Sequence, residues 1–217
     1  ISKAIGSDHF DFVLYTGVAG DLMKFTAQVM DRVGNKLAFV KMGFSTGAAL
    51  QIQNEKKCLR ELNKHSFLEF NLPKLISEGK DHEFAWNYLI QSSASPTFKS
   101  WTKKLNMNHV SALGELFNKT VGEKTSVSSQ FETLLCNFKT LSRQSEKLTL
   151  IADVCDSIIC LIDVYKEIEI PLGGSHGDFI PWNVLFSTKS MFIFDWENYN
   201  NRLPAWDLLN YIFHVEI

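Results

Sequence analysis

Ser175-His176-Gly177-Asp178-Phe179-Ile180-Pro181-Trp182-Asn183-Val184-Leu185-Phe186, followed by Ser187-Thr188-Lys189-Ser190 and then Met191-Phe192-Ile193-Phe194-Asp195-Trp196-Glu197, is the stretch that decides the fold. Asp178 lies after His-Gly and ahead of a proline, a context that places it in a constrained loop rather than in a helix. Asn183 opens one short apolar run, Val184 to Phe186, and Asp195 closes a second, Met191 to Phe194. A turn over Thr188 to Ser190 pairs Phe186 with Phe192 and sets Asn183 opposite Asp195. That register puts an amide oxygen and a carboxylate side by side, a hard oxygen pair suited to magnesium, with Asp178 nearby to handle a proton.

Working outward, three β-type runs open the chain: Phe10 to Tyr15, Met23 to Met30 and Lys36 to Met42. The intervening Thr16 to Asp21 and Asp31 to Asn35 carry Gly, Asp and Asn, the residues of hairpin turns. A helix is expected over Gly47 to Lys64, a loop at Asn71-Leu72-Pro73, a strand over Glu83 to Gln91 and a hinge at Ser92 to Pro96. From there to Glu167 the pattern is largely helical, broken around Gly122 to Ser129, and a last helix covers Trp206 to His214. Strands first and helices after imply an α+β chain with segregated layers.

Lys41 is a lone charge at the end of the apolar strand Leu37 to Met42. On its own it reads as a strand-end lysine whose stem packs while its head reaches water. In the next helix Ala48, Ile52, Glu55, Leu59 and Leu62 share one face, so Glu55 falls on the buried stripe and needs a cation. Lys41 is the natural partner.

The pattern His-Gly-Asp-Phe-x-Pro-x-Asn, followed by an apolar strand ending in Asp, resembles the core of the aminoglycoside phosphotransferase and choline kinase family. These are small-molecule kinases of protein-kinase-like fold. The resemblance implies a two-lobe architecture: a small antiparallel-sheet, nucleotide-binding lobe over residues 1–91 and a mainly helical lobe with the catalytic hairpin over residues 92–217. It implies ATP and Mg as cofactors. Lys41, held by Glu55, would grip the nucleotide phosphates, Asn183 and Asp195 would hold the metal, and Asp178 would take the acceptor's proton. Leu185 and Phe194 would floor the adenine, and backbone groups of Gln91 and Ser93 would read it. His176 is expected to be structural, and Asp207, in Pro-x-x-Asp-Leu, to brace the catalytic loop. Glu197 is read either as binding the metal through water or as ending its strand in solvent, the second being favoured. The Gly17/Gly20 turn is a weak phosphate-loop candidate, since two glycines occur in many hairpins.

The implied function is transfer of the ATP γ-phosphate to a hydroxyl of a small molecule: an amino-alcohol, a sugar or an aminoglycoside-like acceptor. Glu197 and Asp207 suggest a cationic one. The alternative is a nucleotide-binding pseudokinase or scaffold. A protein kinase is disfavoured by His-Gly-Asp in place of His-Arg-Asp. The family usually continues with further helices beyond the position of Asp207, which leaves a truncated chain, a minimal pocket or a partner-supplied wall open.

Composition agrees with a folded protein: 217 residues, 45% hydrophobic, 17 phenylalanines. A net charge of -2 and scattered lysines give no electrostatic case for nucleic acid or an anionic membrane. Cys58, Cys136, Cys155 and Cys160 lack metal-ligand spacing and read as reduced core thiols of a cytoplasmic protein. The most apolar stretch, Leu148 to Tyr165, carries Asp153, Asp156 and Asp163 and is not a membrane span.

Overall fold

In the computed structural model the described residues are 1–6, 8–17, 19–80, 86–98, 104–132, 136, 149–188 and 190–216. The first ninety or so residues build a five-stranded antiparallel sheet from β1 (Asp11–Thr16), β2 (Lys24–Met30), β3 (Lys36–Gly43), β5 (Leu75–Lys80) and β6 (Asn87–Ser92). The strand order is β1-β2-β3-β6-β5. The three opening runs are thus strands within a residue of their expected ends. The expected strand over Glu83 to Gln91 begins only at Asn87, with 81–85 outside the described residues.

Strand β5 has no counterpart among the expected elements. Its Gly79 lies opposite Tyr88, and a Cβ there would sit 2.7 Å from the Tyr88 hydroxyl. The glycine that obscures the strand pattern is what lets the tyrosine lie across the ladder.

One face of the sheet buries Ala27, Val29, Ala38, Val40 and Ile90 beneath the short helix α1 (Ser2–Ile5) and Phe10. The other face, carrying Phe39, Lys41, Leu89 and Gln91 by strand alternation, looks toward the rest of the molecule. Helix α2 (Thr46–Leu62) packs there, and Ala48, Ile52, Glu55, Leu59 and Leu62 are all buried, as their spacing requires. Ser45 caps its start by accepting the Ala48 amide.

Beyond the sheet come α3 (Met107–Thr120), α4 (Thr149–Tyr165) and α5 (Trp206–Glu216), with two small sheets between them. One joins β4 (Phe70–Asn71) in parallel to β10 (Met191–Ile193), which pairs antiparallel with β9 (Val184–Phe186). The other orders β11 (Asn200–Arg202), β8 (Glu169–Ser175) and β7 (Glu123–Ser126). The loop expected at Asn71 therefore begins with a strand, and the break expected around Gly122 to Ser129 is there, filled by β7 paired with β8. Pro171 hides β8 from sequence reading. It is tolerated because residues 169–172 pair only with β7 and residues 173–175 only with β11. Residues 99–103, 133–135 and 137–148 of the expected helical stretch lie outside the described residues.

Among the three cysteines whose side chains are described, Cys58 is buried, whereas Cys136 and Cys160 are exposed, so the core-thiol expectation holds for Cys58 alone. No described helix is long and apolar enough to cross a membrane.

The main core gathers Phe70, Leu89, Phe179, Val184, Ile193, Trp196 and Tyr211 between α2, α3 and the hairpin. His109 sits inside it, fully buried, with Nδ1 accepting the Asn106 amide at 3.1 Å and the ring 4.7 Å from that of Tyr211. Burial holds its pKa below the ordinary imidazole value. An unfolded His109 therefore binds a proton more readily than the folded one. Its contribution is complete above about pH 6.5 and is lost as pH falls toward the folded pKa. The wild type is expected to lose more melting temperature than His109→Gln between about pH 7.5 and pH 5.5, on either side of the ordinary imidazole pKa. Equal losses would contradict this.

Candidate active site

The cleft between the five-stranded sheet and the β9–β10 hairpin encloses about 820 Å³, and Lys24, Phe39, Lys41, Gln91, Leu185 and Asp195 are among its walls. Lys41 ends the apolar part of β3 and is 7% exposed; Glu55, on the inner face of α2, is 0% exposed. The lysine Nζ donates to both Glu55 oxygens, at 2.8 and 2.7 Å, and to Asp195 Oδ1 at 2.6 Å. Two carboxylates outweigh the burial that opposes a buried cation and hold the Lys41 pKa above that of a free lysine. For Asp195 burial pulls upward, but Lys41, by charge and hydrogen bond, keeps the carboxyl below its usual range.

Asp195 gets there by leaving the ladder. The hairpin register is one residue away from expectation: Phe186 pairs with Met191, Leu185 with Phe192 and Val184 with Ile193. The cause is the turn, which closes over Ser187 to Ser190. The Ser187 amide donates to the Ser190 carbonyl at 2.9 Å, and the Ser190 amide donates to Ser187 Oγ at 3.1 Å. Asn183 consequently meets Phe194, whose amide donates to the Asn183 carbonyl at 3.1 Å. The next residue, Asp195, adopts a left-handed φ of 71° that breaks the strand.

Asn183 ends a 3-10 turn begun by Pro181, and its Nδ2 donates to the Asp178 carbonyl at 2.9 Å and to Asp178 Oδ2 at 3.0 Å. The amide nitrogen is thereby committed, and Oδ1 is the atom left for a ligand. Asp178 is held from its other side too, its amide donating to His176 Nδ1 at 3.3 Å.

His176 is fully buried, its Nε2 2.9 Å from the Phe194 carbonyl, so it joins the loop to the hairpin. Asp207, at the start of α5, accepts the amides of His176 at 2.7 Å and Gly177 at 2.8 Å. That carboxylate is thereby committed to the backbone amides of the loop. Gly177 has φ +83°, and a Cβ there would run into the Asn198 carbonyl oxygen. Gly177→Ala is expected to lose about 1–3 kcal/mol from backbone strain alone, besides the clash, and to melt measurably below the wild type. Unchanged melting would show that the loop can relax around it.

Glu197 departs from the favoured of its two expected roles. It is not a solvated strand end: its side chain is 11% exposed and forms an ion pair with Lys24 of β2. Its carboxylate, with those of Glu55 and Asp195, makes a group of three within 4.8 Å of one another. The signal was available in Asp-Trp-Glu, because Trp196 goes wholly into the core and drags its neighbours with it. Burial holds the Lys24 pKa below that of a free lysine, and neighbouring Lys41 adds to the effect.

Of the residues expected around the base, Gln91, Leu185 and Phe194 line the cleft, together with Phe39 and Phe192. Ser93 is not among its lining residues. Its Oγ donates to the Lys36 carbonyl at 2.7 Å and its amide to the Leu37 carbonyl at 3.5 Å, whereas Ser92, Ala94 and Ser95 face the space. The Gly17 turn is seated on the start of α2, where the Asp21 carbonyl accepts the Ala48 amide at 3.1 Å and the Ser45 hydroxyl. Gly47 gives that loop room, since a Cβ there would collide with the Asp21 carboxylate.

The sequence profile of the phosphotransferase enzyme family matches residues 142–216. No curated protein sequence matches the chain. Among solved structures, wild-type aminoglycoside 2'-phosphotransferase-IIIa in its GDP complex aligns with TM-score 0.60 at 13% identity, over 99% of this chain and 76% of that one. Amicoumacin kinase, in complex with AMP-PNP and Ca2+, aligns with TM-score 0.56 at 12% identity, over 95% and 65%. A choline/ethanolamine kinase family protein from Mesorhizobium loti aligns with TM-score 0.57 at 13% identity, over 94% and 64%. By the profile match at its C-terminal third and by a fold shared over nearly its whole length, this α+β chain resembles the aminoglycoside phosphotransferase and choline kinase group and has its protein-kinase-like fold.

Proposed function

We propose that the protein is a phosphotransferase that uses ATP and magnesium to phosphorylate a hydroxyl of a small molecule. The observation that carries this reading is the convergence of Lys41, Glu55 and Asp195 into one bonded cluster on the cleft wall, with Asp178 and Asn183 bonded to each other on the adjoining loop. Lys41 would hold phosphate oxygens, and Glu55 would keep the ammonium in place. Asn183 Oδ1 and the Asp195 carboxylate are hard oxygens of the kind magnesium takes, few in number because nucleotide phosphates and water complete its shell. Bound there, the metal would neutralise charge on the phosphates. Asp178 would accept the hydroxyl proton as the acceptor oxygen bonds to the γ-phosphorus and the bond to ADP breaks. Nucleotide complexes of structural relatives, with GDP and with AMP-PNP, support placing a nucleotide in this cleft.

The acceptor is a small molecule in this reading: an amino-alcohol, a sugar or an aminoglycoside-like compound. The test is transfer from γ-labelled ATP to a panel of such hydroxyl compounds, with and without a chelator. Transfer that stops on removal of magnesium, and falls at least about tenfold in Asn183→Ala through loss of one of few protein ligands, is the expected result. Tight nucleotide binding with no transfer to any acceptor would instead favour a scaffold.

A further inference from the structure

We propose that the side-chain amide of Gln91 reads the base of the bound nucleotide and selects adenine. The proposal rests on the nucleotide-binding reading of the cleft, but it concerns a different atom from those that hold phosphate. Gln91 is 3% exposed, and its Oε1 is buried without a hydrogen-bond partner among the described residues. A buried acceptor left in this condition carries a standing desolvation cost, which a ligand able to donate to it removes.

The strand register says where that acceptor faces. Gln91 pairs with Phe39 and Leu89 with Lys41, so Gln91 and Lys41 lie on the same side of the sheet. They are offset by one pair of residues, about 7 Å along the strands. Between them and the hairpin the cleft is walled by Phe39, Leu185 and Phe192, apolar surfaces that suit a flat ring. A nucleotide with its phosphates at Lys41 therefore directs its base toward Gln91.

Adenine presents an N6 amino donor beside the N7 acceptor, the pattern that a glutamine amide complements with one acceptor and one donor. On that same edge guanine presents O6 and N7, two acceptors, with its N1–H and 2-amino donors turned away, and leaves Oε1 as unpartnered as before. Backbone groups near Ser92 and Ala94 can contribute to holding the ring, but the discrimination belongs to Gln91.

The test is a two-by-two comparison by titration calorimetry with magnesium present. Wild type and Gln91→Met, which keeps the volume and removes the amide, are each titrated with ATP and with purine riboside triphosphate, which lacks the 6-amino group. In the wild type, loss of the amino group is expected to weaken binding about tenfold, the upper range for one net hydrogen bond. In Gln91→Met the same loss is expected to cost less than about twofold, since the partner is already gone. GTP should bind the wild type about tenfold or more below ATP, and the two should approach parity in the variant. Equal penalties in both proteins, or an unchanged ATP-to-GTP ratio, would overturn the proposal while leaving nucleotide binding intact. A wild type that binds none of the triphosphates would overturn the nucleotide reading itself, and this inference with it. If Gln91→Met shows no cooperative melt, Gln91→Asn, which withdraws the amide by one methylene, is read by the same criteria.

Discussion

Lys41→Met is expected to destabilise the protein by about 3–5 kcal/mol, the usual result when one member of a buried ion pair is removed. Glu55 would remain with no exposure and without the ammonium that donates to both its oxygens. Asp195 would lose its bond to the lysine as well. The loss is due to the stranded carboxylate rather than to the pair being a strong net stabiliser, and a second variant separates the two. Lys41→Met combined with Glu55→Leu replaces the pair by apolar groups, which is often neutral or better for stability. Urea unfolding should therefore show the single variant well below the wild type and the double variant recovering most of the difference. Phosphate transfer should be absent from both, because both lack the ammonium proposed to hold the phosphates. A single variant within about 1 kcal/mol of wild type, the range typical of exposed pairs, would mean that water or Lys24 reaches Glu55.

Asp178→Asn is expected to cut the turnover number by about 10²- to 10⁴-fold, the range for loss of a positioned proton acceptor. The substitution keeps the shape of the side chain, and the new amide can still present an oxygen to Asn183 Nδ2, which in the wild type lies 3.0 Å from Asp178 Oδ2. The His176 contact uses the backbone amide and is untouched. Melting temperature and the dissociation constant for MgATP should both stay near wild type, so the loss falls on turnover alone. Steady-state kinetics with saturating ATP checks this. A rise in KM or a loss of nucleotide affinity as large as the fall in turnover would assign Asp178 to binding instead.

Much of this site was legible because its residues obey local rules. The buried line from Ala48 to Leu62 follows from helical spacing, and it required Glu55 to find a cation. The His-Gly-Asp loop and the two apolar runs likewise announce themselves within a few residues. Other features were not local. The one-residue register difference depends on two serines closing the turn, and polar side chains elsewhere can form such bonds with equal ease. Strand β8 is split between two partners, so no single edge reveals it. Ser93 and Gln91 differ in their surroundings, and it is the pairing of Gln91 with Phe39 that sets its side chain on the cleft side. Glu197 became part of the site through Trp196, a residue that reads as hydrophobic ballast until its depth is known.

Asn54 has a consequence for the placement of Glu55. It directly precedes Glu55 on α2, and its amide donates to the carbonyls of Glu197 and, at 3.1 Å, Tyr199. The helix is also fastened at its start to the Asp21 carbonyl. An outward swing of α2 would have to break the Lys41–Glu55 pair, both Asn54 bonds and the loop attachment together. The position of α2, and with it that of the Glu55 carboxylate, is thereby fixed by several separate contacts rather than by the ion pair alone.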